Sequence, residues 1–229
     1  MAVNIVRDID DWVRVQQVLI SVSDKTGLDV LVPGLVSVNE NLKIFSTGGT
    51  YKKIAEILGE QGAQKHLSRV SDFTGQPETQ GGLVKTLDFK IYLGLLTETY
   101  NDAHQGDLKR TGAVPIDMVV CNLYPFKETI ARADATVEMA RANIDIGGPT
   151  MVRASAKNYL RVASVTDPGD YPAIIKTLKQ SGGRMDLKTR FALARKAFAH
   201  TAEYDTTIAK FLAESPDQKM ESCYEKKGA

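Results

Sequence analysis

The chain has 229 residues, 43% of them hydrophobic and 25% charged, with a formal net charge of +1. That composition supplies one substantial core, so a single domain is expected, and it provides no global field to draw in nucleic acid or an anionic membrane; any anion site must be local. Two cysteines, Cys121 in an apolar run and Cys223 in a polar tail, exclude a disulfide framework, and neither a signal-like N-terminus nor a long apolar span is present, which predicts a cytoplasmic protein.

Residues 1–15 read as an N-terminal arm or short helix, because Asp8, Asp10 and Asp11 do not suit a core strand. Gln17 to Val22 (QVLISV) is a short, β-branched apolar run stopped by Ser23-Asp24-Lys25-Thr26-Gly27, which predicts a buried strand, with helix following to about Val36. Lys43 to Ser46 repeats the pattern and ends in Thr47-Gly48-Gly49-Thr50; Tyr51 to Leu58 then places Ile54, Ile57 and Leu58 on one helical face. Strand, polar glycine loop, helix occurs twice. That alternation predicts an α/β fold with a parallel sheet and a ligand site at the carboxyl ends of its strands.

Residues 64–82 are rich in polar and turn residues, and the apolar segment 85–96 is open between strand and helix. Pro115 to Leu123 (PIDMVVCNL) predicts the central strand, ended by Tyr124-Pro125-Phe126. Thr136 suits the N-cap of a helix up to Asn143. Arg161 to Thr166 predicts another strand, and Asp167-Pro168 opens a helix to about Gln180 that Ser181-Gly182-Gly183 closes. Leu187, Phe191, Ala194, Phe198, Ala202 and Ile208 fall near a 3.6-residue period, predicting one amphipathic helix over 186–213 or two broken near Tyr204. The domain proper is expected over 16–214, and the charged stretch 215–229 as a flexible tail.

Chemistry gathers in the same loops. Ser23, Lys25 and Thr26 with Thr47, Gly48, Gly49 and Thr50 supply hydroxyls, backbone N–H groups and an ammonium, the parts of a phosphate cradle. GxxxxGK[ST] and GxGxxG are both absent, so a monophosphate is favoured over a triphosphate or dinucleotide. A second constellation, Lys85-Thr86, Asn122, Tyr124, Asp145 and Lys157, carries groups for fixing a polar heterocycle and moving protons, although any one lysine is equally a solvated surface charge. Asp145 and Lys157 flank Gly147-Gly148-Pro149 and its helix, so one rigid unit carries an acid and a base. His66, His104 and His200 are scattered without metal-ligand spacing, so no metal and no cofactor is expected.

Taken in order, Ser21-Val22-Ser23-Asp24-Lys25-Thr26-Gly27, Thr47 to Thr50, Val84-Lys85-Thr86-Leu87, Cys121 to Phe126, Ile144 to Thr150, Ala156-Lys157-Asn158 and Lys196 to Ala202 resemble the inosine monophosphate (IMP) cyclohydrolase domain, the N-terminal part of the bifunctional purine biosynthesis enzyme. The resemblance covers about Val18 to Leu212. It implies a three-layer α/β fold like methylglyoxal synthase: a central, mostly parallel sheet flanked by helices, with a C-terminal helical extension. It further implies that Ser23, Lys25, Thr47, Gly48, Gly49 and Thr50 hold the ribotide phosphate, with Asp24 and Thr86 among the substrate-binding residues. Asn122 and Asp145 would hold the base, with the backbone at Cys121 and Ile146 helping. Lys85, Tyr124, Asp145 and Lys157 would form the catalytic set around the reacting formyl group, with Lys157 matching the lysine usually given the proton-transfer role. A homodimer is implied as well. The family's formyltransferase domain has no counterpart in this sequence, so the resemblance points to a free-standing cyclohydrolase or an excised half, with a separate formyltransferase as candidate partner.

One stretch departs from the family. Where it usually reads Gly-Arg-Val-Lys-Thr-Leu-His-Pro, this chain has Gly82-Leu83-Val84-Lys85-Thr86-Leu87-Asp88-Phe89, and a second family histidine is Tyr92. Losing the arginine removes a charge and a fixed fork of donors. The rival readings are a methylglyoxal-synthase-like lyase, which has no use for Asn122 to Phe126 or Lys157, and a non-catalytic ribotide-binding module, which the departures favour.

Overall fold

A computed structural model describes residues 5–76, 79 and 84–227. The first segment is not a free arm or a helix: β1 (Trp12–Arg14) pairs antiparallel with a distant strand, Trp12 opposite Asp186. What holds it is Arg190, 1% exposed, whose guanidinium donates to the carbonyls of Asp10 and Asp11 and to those of Tyr159, Leu160 and Met185. Carboxylates near a strand mislead here because the backbone of Asp10 and Asp11, rather than their side chains, makes these contacts.

β2 (Gln17–Val22) leads through a turn into α1 (Leu28–Val38), and β3 (Lys43–Ser46) leads into α2 (Gly48–His66), kinked at Gly59 (φ 67°, ψ 176°). The polar stretch read as turns contains β4 (Leu67–Arg69) and α3 (Val70–Thr74). The ambiguous apolar segment is helical, α4 (Phe89–Leu96), because the Asp88 carboxylate accepts the Lys90 N–H at 2.8 Å and caps it. α5 (Asp102–Thr111), β5 (Met118–Asn122), α6 (Phe126–Ile130) and α7 (Val137–Ala142) follow, the last capped by Thr136 as expected. Next come α8 (Gly147–Lys157), β6 (Ala163–Val165), a 3-10 turn at Pro168–Asp170, α9 (Tyr171–Gln180) and β7 (Arg184–Asp186). α10 (Leu187–Glu214) runs unbroken through Tyr204, and the tail carries a short α11 (Asp217–Glu221). Tyr224 beyond it donates to Glu138 on α7 at 2.5 Å.

β2, β3, β4, β5 and β6 form one parallel sheet in the order β4-β3-β2-β5-β6. Period-2 alternation distributes its residues to two cores: Val18, Ile20, Val22, Met118 and Val120 face the side covered by α1, α2 and α9, while Leu19, Val119 and Cys121 face α4, α8 and α10. The MGS-like expectation of a parallel sheet between helical layers with a C-terminal helix therefore holds. The order reverses between β2 and β5, so the loops after those two strands diverge and leave a crevice at their carboxyl ends. Among the described residues no helix is long and apolar enough to cross a membrane.

Candidate active site

The crevice is a cavity of about 370 Å³, within the range of small-ligand sites. It is lined by the turn after β2, the start of α2, Lys85 to Leu87, the end of β5, and the stretch from Ile144 to Gly148. Ser23, Lys25, Thr47, Gly48, Gly49, Thr50, Lys85, Thr86, Cys121, Asn122, Tyr124, Asp145 and Ile146 are all brought together there.

One end is built for an anion. α2 begins directly at Gly48 instead of after a glycine loop, so Gly48, Gly49 and Thr50 are its first turn, and Thr47 makes no side-chain cap. The first-turn N–H groups thus point out of the helix at its positive end. Gly48 has φ +48° and Gly49 is exposed. The Lys85 Nζ lies 3.6 Å from where a Gly48 Cβ would stand, and the Lys25 Nζ 3.9 Å from where a Gly49 Cβ would stand. Both ammoniums thus lie at van der Waals distance from the first turn of α2. Among the described residues neither lysine is paired with a carboxylate. Two unneutralised cations over a helix N-terminus make this the electropositive end. The resemblance places Lys85 at the reacting formyl group; the geometry places its ammonium against Gly48 at the start of α2.

Several side chains assigned to a ligand are instead engaged with the protein. The Asn122 Oδ1 accepts the Ser23 and Asp24 N–H groups at 2.6 and 2.9 Å, and its Nδ2 donates to the Asp24 carbonyl at 2.8 Å. Asn122 therefore shapes the turn after β2, with one N–H left for a ligand. Thr50 is buried with its hydroxyl on Val22, accepting the N–H at 3.2 Å and donating to the carbonyl at 3.0 Å. Asp24 stands outside this set: it is exposed, does not line the cavity, and its carboxylate accepts the Thr26 N–H and hydroxyl at 2.9 and 2.7 Å. The Thr26 hydroxyl hydrogen bond holds its pKa below the usual value.

The opposite end is carried by Asp145. Its Oδ1 accepts the Gly148 N–H at 2.9 Å, so the carboxylate caps the first turn of α8. Only glycine fits at 148, where a Cβ would lie 2.5 Å from Asp145 Oδ2 and 2.8 Å from Leu123. Burial raises the Asp145 pKa above the ordinary value, outweighing hydrogen bonds from the Gly148 and Tyr124 N–H groups that lower it. Tyr124, 50% exposed, and Ile146, 61% exposed, form the rim. Thr86 is buried, its hydroxyl 3.0 Å from where a Gly147 Cβ would stand. Burial raises the pKa of the Cys121 thiol, so it sits in the wall as a neutral group.

Lys157 stands apart from the other assigned residues. It does not line the cavity and is exposed at the far end of α8. Ten residues at about 1.5 Å rise separate it from Gly147 by roughly 15 Å. α8 packs along β5 and β6 and sets its two ends a full helix length apart, which a spacing of twelve residues from Asp145 does not reveal. Of the departing positions, Leu83 lies outside the described residues. Asp88 caps α4, Phe89 is 57% exposed, and Tyr92 is directed into the second core, where burial pushes its phenol up to about 12; none of these three lines the cavity. Sequence reasoning missed Tyr204, whose hydroxyl reaches the backbone of Asn143 and Asp145; its only sequence signal was a polar-tipped aromatic in an apolar helical stripe.

Comparison with known proteins matches this architecture. The family model described as the MGS-like domain matches residues 31–150, which include all but the first few cavity residues. The chain belongs to the MGS-like domain family. Beyond that MGS-like half, residues 155–228 match the AICARFT/IMPCHase bienzyme family model. Among curated relatives, the bifunctional purine biosynthesis protein PurH of Ruminiclostridium cellulolyticum is 45% identical over 201 residues, covering 88% of this chain and 37% of the relative. PurH of Synechococcus sp. (strain CC9605) is 46% identical over 201 residues with the same coverage. The MGS-like chain thus spans little more than a third of the length of these relatives. A solved structure, the crystal structure of ForH, superposes with a TM-score of 0.71 at 30% identity, covering 86% of this chain and 99% of that one.

Proposed function

We propose that the protein is an IMP cyclohydrolase, closing the ring of 5-formamidoimidazole-4-carboxamide ribotide to IMP with loss of water. The observation that carries this reading is the polarity of the cavity. Lys25 and Lys85 stand over the start of α2 at one end, and a half-buried Asp145 with Tyr124 stands at the other. The names of the PurH relatives and of the bienzyme family support it.

In this reading Lys25, Lys85 and the first-turn N–H groups of α2 hold the phosphate, and the ribotide extends toward Asp145. The carboxamide nitrogen bonds to the formyl carbon and passes one proton to the former formyl oxygen. The C–O bond then breaks, and water leaves with the proton of the formamido nitrogen. Both reacting groups belong to one molecule, so the protein's part is to select the reactive rotamer and stabilise developing charge. Tyr124 supplies a phenol to the formyl oxygen. Asp145, whose burial raises its pKa above the ordinary value, accepts the amide proton and returns it to the leaving oxygen. We further propose a cytoplasmic homodimer whose cyclohydrolase unit is 16–214, served by a linked or separate AICAR formyltransferase.

A spectrophotometric assay of the formylated ribotide tests the proposal directly: ring closure well above the buffer rate is expected. The position of Lys157 outside the cavity favours a second reading, a ribotide-binding module without turnover. Binding of IMP by calorimetry with no ring closure above buffer would select that module.

A further inference from the structure

All the cavity-lining residues among those described lie between Ser21 and Gly148, so the segment matching the bienzyme family, residues 155–228, lines none of it. That segment nevertheless touches the wall. The Tyr204 hydroxyl on α10 accepts the Asp145 N–H at 2.8 Å and donates to the Asn143 carbonyl at 3.3 Å. One phenol thereby bridges the backbone on either side of Ile144. The next side chain along is the carboxylate that caps Gly148 and faces the cavity. The Tyr204 ring is itself held edge-on to Phe126, with centroids 6.1 Å apart, and Phe126 is 1% exposed and follows directly on the Tyr124-Pro125 rim.

We propose that Tyr204 is a positioning residue, through which the C-terminal helical extension fixes the direction of the Asp145 carboxylate in the cavity. The inference deepens the cyclohydrolase reading and rests on it for its kinetic consequence. The turn 143–146 lies between α7 and α8 without regular structure of its own, and Ile146 is exposed. Without the bridge, nothing on α10 restrains the amide of the residue whose side chain must meet the base. A long helix packed on α8 and the sheet is a rigid support for that turn, and a hydroxyl that accepts on one side and donates on the other holds it in a single orientation.

The test compares Tyr204→Phe with Phe211→Leu in the full chain. Phe211 also packs edge-on against Phe126, at 5.9 Å, so its variant loosens the same packing and leaves the hydrogen bonds in place. Tyr204→Phe is expected to lower kcat about tenfold or more and leave KM within about threefold, with faster amide exchange at Asp145 and Gly148. Phe211→Leu is expected to lower Tm with kcat within twofold. A Tyr204→Phe enzyme with unchanged kcat, or a Phe211→Leu enzyme that loses kcat equally, overturns the proposal. If the wild type itself closes no ring, the cyclohydrolase reading fails, and exchange at Asp145 alone decides the clamp: unchanged exchange in Tyr204→Phe refutes it, faster exchange upholds it.

Discussion

Lys25, Lys85 and Lys157 have the same side chain and two different surroundings, and their variants should separate accordingly. A contact with the phosphate is equally strong in ground and transition states, so Lys25→Ala and Lys85→Ala should each raise KM by about 10- to 100-fold, as for loss of a hydrogen bond to a charged group, with kcat changing far less. Lys157→Ala should leave both within about twofold. Steady-state kinetics on the three variants checks the set; a collapse of kcat in Lys157→Ala would return that lysine to the catalytic group, and a collapse of kcat alone in Lys85→Ala would move its ammonium to the formyl end. Asp145 has a pH signature. Burial raises its pKa, so the carboxylate form persists only above a pH higher than the ordinary 3.8. The acid limb of kcat should therefore lie above 3.8, with activity falling as pH drops through it, and Asp145→Asn should abolish that limb along with most of the rate. A profile flat down to pH 4 would show that Asp145 takes no part in proton transfer.

Elements with strong local signals were legible: β2, β3 and β5 stand where short apolar runs put them, and α9 lies between its Asp167-Pro168 start and Ser181-Gly182-Gly183 end. Those that were missed are short and take their structure from elsewhere. β1 and β4 have three residues each and gain order from β7 and β3, not from their own composition. The contact between α1 and α9 gives an element-scale prediction. A Cβ on Gly34 would lie 2.7 to 2.9 Å from the Ile175 side chain, which is branched at Cβ and only 7% exposed. Ala would add about 1 kcal/mol of helix propensity, yet overpacking costs about 1–3 kcal/mol, and a stiff, buried isoleucine puts this site toward the larger value. Gly34→Ala should lower Tm by a few degrees in a calorimetric scan, and an unchanged or raised Tm would mean that the two helices part freely.

At the scale of the molecule, α10 ties the parts together. It packs on α8 and β6, anchors the N-terminal segment through Arg190, and reaches the cavity wall through Tyr204. It also carries Phe191, Phe198 and Leu212 at 38 to 48% exposure, with Arg195 and Arg153 over the two phenylalanine rings. That is more apolar surface than one helix on a finished domain needs, and we expect a homodimer. Light scattering at micromolar concentration should give about twice the 25.1 kDa chain mass, and a monomer there would count against it.

The sequence by itself determined the α/β class, the strand ends where ligands gather, and most of the residues that line the cavity, because a parallel sheet puts its loops on one edge whatever the packing around it. It also carried the family, through motifs kept in order along the chain. Direction was decided only in three dimensions. Asn122, Thr50 and Asp24 have the donors and acceptors of ligand-binding residues, but hydrogen bonds to neighbouring backbone already hold most of them. Lys157 sits twelve residues from Asp145 and at the other end of a helix, while Tyr204 sits fifty-nine residues away and in contact with it. Sequence separation says nothing about which of two side chains closes on a carboxylate; the packing of α10 against α8 does.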